Sequence, residues 1–600
     1  MKNILLLCFT ILFQPLYGQE CFPPSWFIGL QHDSFQVIVN SPKIGQSSEW
    51  RSEDPALIIH SSKALSNSNY VLLNLAVTKD AKPGNITLSY KLGRKSKKLV
   101  YPLEAKPQTT GTALTQHDIV YLLMPDRFAN GNPKNDYPKG LLEKRNSPDS
   151  AFGRHGGDLA GISQNLDYIQ NLGMTTLWMN PVFENNEILE SYHGYAITHH
   201  YKVDPRLGTL ADYAALSDSL HARKMKLVKD MVFNHVGIHH SFFQDLIDST
   251  WFHWWDGFQK TSYRAPTLLD PYASPSDKKV FQEGWFDRHM PDLNTENPAV
   301  RQYLYQSALW WALKFKLDGI RIDTYAYPDE DCMRGLLRYL NSELPALSIF
   351  AEVWDHGPGV QAYFAKGNQD HSGFSLIDFQ LYFAIQRSFN ETPGWTEGIS
   401  SLYYTLAQDY LYPEGNARQM LTFIDNHDVA RAYGAFGKDS LKMQGALKMM
   451  YLLRGIPSIL YGTEQLQSGT GNDDTKRRPW LGGWPGQESP DFYEDSVTAS
   501  LIRRLSHLRQ HHVAFDDDAV QVQYIPQKGK YLFFRHKDGH GIALLCNTAA
   551  DRQEFWLNEY PELYQALGHA EYDVMEAPGL KGIRTAVLGL YQNETVVLVW

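Results

Sequence analysis

The chain has 600 residues, 43% of them hydrophobic and 20% charged, a globular balance in a length that exceeds one hydrophobic core and calls for several folding units. Its net charge of −10 provides no basic field for phosphate backbones, so nucleic acid is not an expected partner. Nothing beyond the N-terminus approaches the roughly 18 to 20 uninterrupted apolar residues of a membrane span.

In chain order, Met1-Lys2-Asn3, an apolar run from Ile4 to Phe13, then Pro15 and Tyr17-Gly18 have the layout of a secretory signal. Residues 1–18 are therefore expected to direct export, periplasmic or extracellular, and to be removed. Cys8 falls inside that segment, and Cys21, Cys332 and Cys546 are far apart, with no metal-ligand spacing and no disulfide framework. Residues 19–112 carry short alternating runs, among them Phe35-Gln36-Val37-Ile38-Val39, broken by Ser, Asn, Gly and Pro, which predicts an N-terminal β-sandwich. Arg94-Lys95-Ser96-Lys97-Lys98 reads as a solvated hairpin tip within it.

Across residues 113–513, apolar strands alternate with longer helical stretches, the βα repetition of an α/β fold. Strands are expected near Ile119–Met124, Thr175–Pro181, Lys226–Asn234, Gly319–Thr324, Ser348–Val353, Ser375–Phe379, Leu421–Asn426 and Pro457–Tyr461. Eight such units predict a closed (β/α)8 TIM barrel. The stretch after the third strand, about residues 236–297, is longer than a βα connection needs and predicts an inserted subdomain over the site. Its Trp251, Phe252, Trp254 and Trp255 suit either stacking against a ligand or subdomain core. Residues 514–600 return to short alternating runs, a C-terminal antiparallel β domain.

Three strand ends concentrate chemistry. In the fourth, Arg321 and Asp323 share a face at a period of two, and a neighbouring guanidinium keeps a carboxylate ionised for nucleophilic attack. The fifth ends in Phe350-Ala351-Glu352-Val353-Trp354, where burial would hold Glu352 protonated near neutrality as a proton donor. The seventh crowds Asp425, His427 and Asp428, suited to binding hydroxyls and stabilising developing positive charge. All three fall at the C-terminal ends of barrel strands, the face where barrel enzymes place their sites. Any one alone would read as a structural ion pair.

These motifs resemble the α-amylase family, glycoside hydrolase family 13, through the whole barrel. Asp230-Met231-Val232-Phe233-Asn234-His235 is similar to its third-strand motif, Gly319 to Asp323 to its nucleophile motif, Glu352 to its acid/base and His427-Asp428 to its transition-state stabiliser. The resemblance implies a retaining α-glucan hydrolase with Asp323, Glu352 and Asp428 as catalytic carboxylates. It implies substrate binding by His193, Tyr195, Asp230, His235, Arg321, Trp354 and His427, with Tyr192-His193-Gly194-Tyr195 gripping the sugar at the cleavage point. Gly455-Ile456-Pro457 and Tyr461-Gly462-Thr463-Glu464 are read as turn geometry and packing around the eighth strand.

Within the family, the N-terminal β domain and Pro23-Pro24-Ser25-Trp26-Phe27 resemble neopullulanases and cyclomaltodextrinases, whose substrates are maltooligosaccharides, cyclodextrins and pullulan. Asp292 in Met290-Pro291-Asp292-Leu293-Asn294 stands where those enzymes commonly carry Lys, and His199 where relatives often have Asp. An oxygen-rich loop with Asn130, Asn132, Asn135 and Asp136, together with Gly156 and Asp158, resembles a Ca²⁺ site of that group, with Asn132 in place of the usual Asp. The resemblance also allows a homodimer. Endo-acting α-amylases and transglycosylases share these residues, and a non-catalytic glucan-binding barrel is the reading from outside the enzymes.

Overall fold

The computed structural model describes residues 18–147, 150–471, 473–480, 496–568, 571–575, 582 and 586–600. The expected signal segment lies outside them, apart from Gly18. The chain forms two compact units. The first runs to Lys106 and includes Asp245–Ser249 from the long insert, tied in where Asn67 Nδ2 donates to Asp245 Oδ1 at 2.7 Å and Asn67 N to Ile247 O at 3.3 Å.

That first unit is a sandwich of two four-stranded sheets. One aligns Glu20–Phe22, Ser34–Asn40, Tyr70–Val77 and Leu57–Ala64, and the other Trp26–Ile28, Lys95–Ala105, Gly84–Leu92 and Ser47–Ser52. Alternate side chains of each sheet turn inward, and Phe35 of one stacks on Trp26 of the other at 5.1 Å. Gly84–Leu92 and Lys95–Ala105 make the expected hairpin, leaving Lys95, Lys97 and Lys98 exposed. The unit ends before residue 112 because Thr112 N donates to Asp318 Oδ1 at 2.7 Å and Leu114 N to Ser348 Oγ at 2.9 Å, bonds that tie the connecting segment to the barrel.

The second unit holds eight parallel strands: β1 (Val120–Leu123), β2 (Thr176–Met179), β3 (Lys226–Val232), β4 (Gly319–Asp323), β5 (Ser348–Ala351), β6 (Phe374–Leu376), β7 (Leu421–Phe423) and β8 (Ile456–Leu460). They pair in sequence order, and β8 pairs back onto β1. A parallel bridge between Ile377 and Leu421 joins β6 to β7 and closes the ring. These strands are buried almost throughout, which is why they read as apolar runs rather than alternating ones. Helices such as Pro298–Lys314, capped by Asn297, pack outside, burying Trp310 and Trp311.

The insert after β3 carries short helical turns and one longer helix, Pro275–Glu283. Trp251 and Phe252 are core: Trp251 packs edge-on to Phe242 at 5.4 Å and Phe252 to Phe243 at 5.0 Å. Trp254 stacks on Phe243, and Trp255 donates to Glu283 O at 2.9 Å, so all four aromatics serve the subdomain itself. A C-terminal five-stranded antiparallel sheet, including Val520–Gln523, Lys530–Lys537 and His540–Asn547, closes the second unit around Phe534, Leu545 and Leu598.

Candidate active site

At the C-terminal mouth of the barrel lies a cavity of about 1140 Å³. Asp323, Glu352 and Asp428 all reach it, with His193, Tyr195 and Trp354 also on its wall. β4 ends on Asp323, Glu352 is the first residue beyond β5, and Asp428 stands in the loop after β7. Three separate strands therefore bring three carboxyls to one chamber.

The register of β3 against β4 sets Asp230 opposite Arg321, so their same-face side chains meet. Arg321 Nη1 donates to Asp230 Oδ1 at 2.9 Å and to Asp323 Oδ1 at 2.7 Å, while Nη2 lies 2.8 Å from Glu352 Oε2. One buried guanidinium thus holds three carboxyls. Asp230 Oδ2 accepts from Tyr195 Oη at 2.9 Å and from Trp178 Nε1 at 3.1 Å. Asp230 and Arg321, predicted to bind substrate, lie behind the cavity wall, and their contacts make them positioning residues.

Thr324, immediately after β4, has φ +47°, a left-handed conformation that is strained for a β-branched residue. There its N–H donates to Glu352 Oε2 at 3.0 Å and its hydroxyl to Asp323 Oδ2 at 3.2 Å. Burial pushes Glu352 up to about 8 against the pull of Arg321, with the charges of Asp323 and Asp428 adding to the rise. Burial also raises Asp323, to about 6, with Arg321 opposing. Asp323 consequently loses its proton first and Glu352 keeps its own, the separation of roles that acid-assisted displacement requires.

Asp428 is held below the ordinary carboxylate range because His427 and Arg477 outweigh its burial. Its Oδ2 is 3.0 Å from His427 Nε2 and its Oδ1 3.1 Å from Arg477 Nη2. Arg477 also donates to His427 O at 2.8 Å, and Lys476 Nζ to Asp428 O at 2.7 Å. Sequence reasoning missed these two cations; the Lys476-Arg477-Arg478 run was the one available signal. Burial lowers His427 and His235 to about 3 and His193 well below its usual value, so all three imidazoles are neutral at pH 7.

Gly194 places His193. Its φ is +87°, and a Cβ there would lie 2.2 Å from Pro181 O. The turn lets Tyr195 N donate to His193 Nδ1 at 2.9 Å, and Tyr195 stacks on His427 at 5.5 Å. Underneath, Arg154 donates to Ser191 Oγ at 2.9 Å and Ser191 O at 3.0 Å, and is itself held by Asp204 at 3.0 Å. His235 stacks on Phe286 at 4.8 Å and, like His427, lies just behind the wall, where His235 Nε2 and His427 Nδ1 make no hydrogen bond with the described residues. Trp354 is 42% exposed at the rim and stacks on Phe379.

The family description "Alpha amylase, catalytic domain" matches residues 122–480, more than half the chain. The chain belongs to the α-amylase family. It is thereby an enzyme, an α-glucan hydrolase of glycoside hydrolase family 13. The flanking regions match the cyclomaltodextrinase N-terminal domain over residues 21–107 and the cyclo-malto-dextrinase C-terminal domain over residues 521–579, which makes it a neopullulanase/cyclomaltodextrinase-like member.

Among its relatives, Neopullulanase 2 of Thermoactinomyces vulgaris is 27% identical over 74% of this chain and 71% of its own length. A cyclomaltodextrinase of Geobacillus thermopakistaniensis is 28% identical over 68% of this chain and 66% of its own. Among solved structures, an Anoxybacillus α-amylase superposes with a TM-score of 0.65 at 26% identity, covering 81% of this chain and 98% of that one.

In this family member, Glu464 after β8 is buried and accepts from Tyr121 at 2.9 Å, Tyr168 at 3.1 Å and Trp480 at 3.1 Å, a packing role. The loop after β1 offers oxygens of the kind a hard cation would use. Asn130 Oδ1 and Asn135 Oδ1 are buried without a hydrogen-bond partner among the described residues, and Asn130 Nδ2 lies 3.0 Å from Asp136 Oδ1. Asp158 is already committed, accepting from Gly131 N, Asn132 N, Asn135 Nδ2 and Gly161 N at 2.7 to 3.2 Å. Gly156 has φ +95°, and a Cβ there would crowd Asn130 Nδ2 and Asp136 Oδ1 at 2.8 and 2.9 Å. No trio of His, Cys, Asp or Glu that could hold a metal gathers among the described residues, so a cation would rely on these amide oxygens.

Proposed function

We propose that this chain hydrolyses α-glucosidic bonds of maltooligosaccharides, cyclodextrins or pullulan by double displacement with retention. The Arg321 guanidinium carries the reading: it holds Asp323 and Glu352 together in unlike protonation environments. Asp323, ionised, attacks the anomeric carbon. Glu352 Oε2 already accepts from Thr324 N–H and Arg321, so the proton it gives to the departing oxygen is carried on Oε1. In the second half Glu352, now ionised, takes a proton from the attacking water, and the sugar leaves Asp323.

Asp428, kept ionised by the Arg477 and Lys476 cations, stabilises positive charge developing on the ring. Neutral His193 on the wall binds hydroxyls of the cleaved residue without repelling that charge, and neutral His235 and His427 back the same face from just behind it. Ca²⁺ at Asn130, Asn135 and Asp136 would stabilise the loop and takes no part in bond breaking.

Product analysis on cyclodextrin, pullulan and soluble starch, with the first product anomer followed by NMR, tests the proposal. Release of the α-anomer is expected; the β-anomer as first product overturns retention, and long oligosaccharides from starch with cyclodextrin untouched would make it an endo-acting α-amylase.

No helix among the described residues is long and apolar enough to cross a membrane. Export rests on the Met1-Lys2-Asn3 and Ile4 to Phe13 pattern, and cell fractionation tests it. The net charge of −10 supports the absence of a nucleic-acid partner. A homodimer, suggested by the resemblance to neopullulanases, is tested by light scattering of the full chain.

A further inference from the structure

A second cavity, of about 510 Å³, opens at the other end of the barrel. Its walls come from the segments that lead into β7 and β8, at the N-terminal ends of those strands, and from two strands of the C-terminal sheet. The carboxylates of the first cavity stand beyond the opposite strand ends, so the two chambers are separate.

Its lining combines rings with polar groups. Tyr410 is 78% exposed on the 3-10 turn Asp409–Leu411, while Tyr412 and Phe533 are buried beneath. Two buried polar atoms have no hydrogen-bond partner among the described residues: Asp409 Oδ1, an acceptor, and Gln521 Nε2, a donor. Other polar groups of the wall are engaged. Arg454 Nε holds Asp409 Oδ2 at 2.5 Å while its Nη1 pairs with Asp378, and Gln523 Oε1 accepts from Tyr531 Oη at 3.0 Å.

Buried polar atoms left unmatched at a cavity wall mark where a ligand's own groups would complete the hydrogen bonding. The formal charges on the wall cancel, Asp409 and Glu414 against Arg418 and Arg454, which disfavours a charged ligand. An aromatic face beside one free acceptor and one free donor matches a neutral polyol, whose C–H face stacks on a ring while its hydroxyls both donate and accept. We propose that this cavity is a non-catalytic binding site for an α-glucan segment, with Tyr410 as stacking platform and Asp409 and Gln521 as hydroxyl partners. The proposed function supplies only the identity of the sugar. The site would hold polymer at the base of the barrel while a chain is cut at its mouth.

Affinity electrophoresis of the full-length enzyme through gels with and without soluble starch tests this, alongside turnover of a short chromogenic maltooligosaccharide. Tyr410→Ala and Gln521→Ala are each expected to weaken retardation by starch about fivefold, equivalent to roughly 1 kcal/mol, with turnover of the short substrate unchanged. Hydrogen exchange of the wild type should show protection by maltoheptaose at residues 409–418 and 520–523. Tyr410 is exposed, so its removal leaves the fold intact, and a melting curve for each variant checks this. Unchanged retardation in both variants, or no protection of those two segments, overturns the inference. Loss of turnover in the wild type would instead strike the proposed function.

Discussion

Asp323 and Glu352 are bound to the same guanidinium, with Arg321 Nη1 2.7 Å from one and Nη2 2.8 Å from the other. Their difference in protonation therefore comes from what else each touches. Burial is the largest cause of the rise at both, and at Glu352 the negative charges of Asp323 and Asp428 add to it.

Two amide substitutions separate these roles. Asp323→Asn should abolish turnover of every glucoside. Glu352→Gln should cut turnover of maltooligosaccharides by about 10²- to 10⁴-fold, the usual contribution of general acid–base catalysis, yet spare the first step on an α-glucosyl fluoride, whose leaving group needs no proton. Equal losses for both variants on the fluoride would contradict the assignment.

The pH profile follows with a definite sign. Activity needs Asp323 ionised and Glu352 protonated, so kcat/KM should fall below about 6 and above about 8. The limbs belong to the coupled pair rather than to isolated groups. Arg321→Met removes the charge opposing the rise of Asp323, so the acid limb should move to higher pH. It also strands buried carboxylates and should cost about 3 to 5 kcal/mol of stability at neutral pH by denaturant titration. An acid limb that stays in place would show that Arg321 does not set it.

Asp204 offers a stability test outside the catalytic chemistry. Burial would raise its pKa, but Arg154 and Arg206 outweigh this and bring it down to about 2. A depressed carboxylate stabilises the fold above its unfolded value of about 3.9 and loses that contribution as pH falls toward 2. Asp204→Asn should lower the melting temperature markedly at pH 7 and less at pH 3. Because Arg154 also holds Ser191, two residues before His193, KM should rise as well. The same melting deficit at both pH values would rule out the ion-pair explanation.

For the loop after β1, chelation followed by added Ca²⁺ should raise the melting temperature of the wild type and leave Asn135→Leu unmoved, because that change removes an unpartnered buried oxygen. A calcium response equal in both proteins would place the ion elsewhere.

The eight barrel strands were legible in the sequence because strands covered on both faces need continuous apolar runs. Their ends drifted by up to three residues, since backbone pairing stops before the apolar pattern does, as at Val232 against the expected Asn234 and at Phe423 against Asn426. The three carboxyls were visible through their strand-end positions. Arg477 was not, because its contact with Asp428 bridges 49 residues and leaves no local period. The Trp251 to Trp255 cluster was ambiguous for another reason. Composition is the same whether a ring stacks on sugar or on Phe243, and only packing separates the two.

The bridge between Ile377 and Leu421 joins the two parts of the sheet that carry the carboxyls. It is the seam of the hoop, and Asp428 lies on one side of it while Asp323 and Glu352 lie on the other. With the seam open, β4 still lies against β5, while β7 remains joined to them only the long way round, through β8 and β1. Catalytic competence therefore requires the sheet to close, because closure is what brings the third carboxyl against the other two.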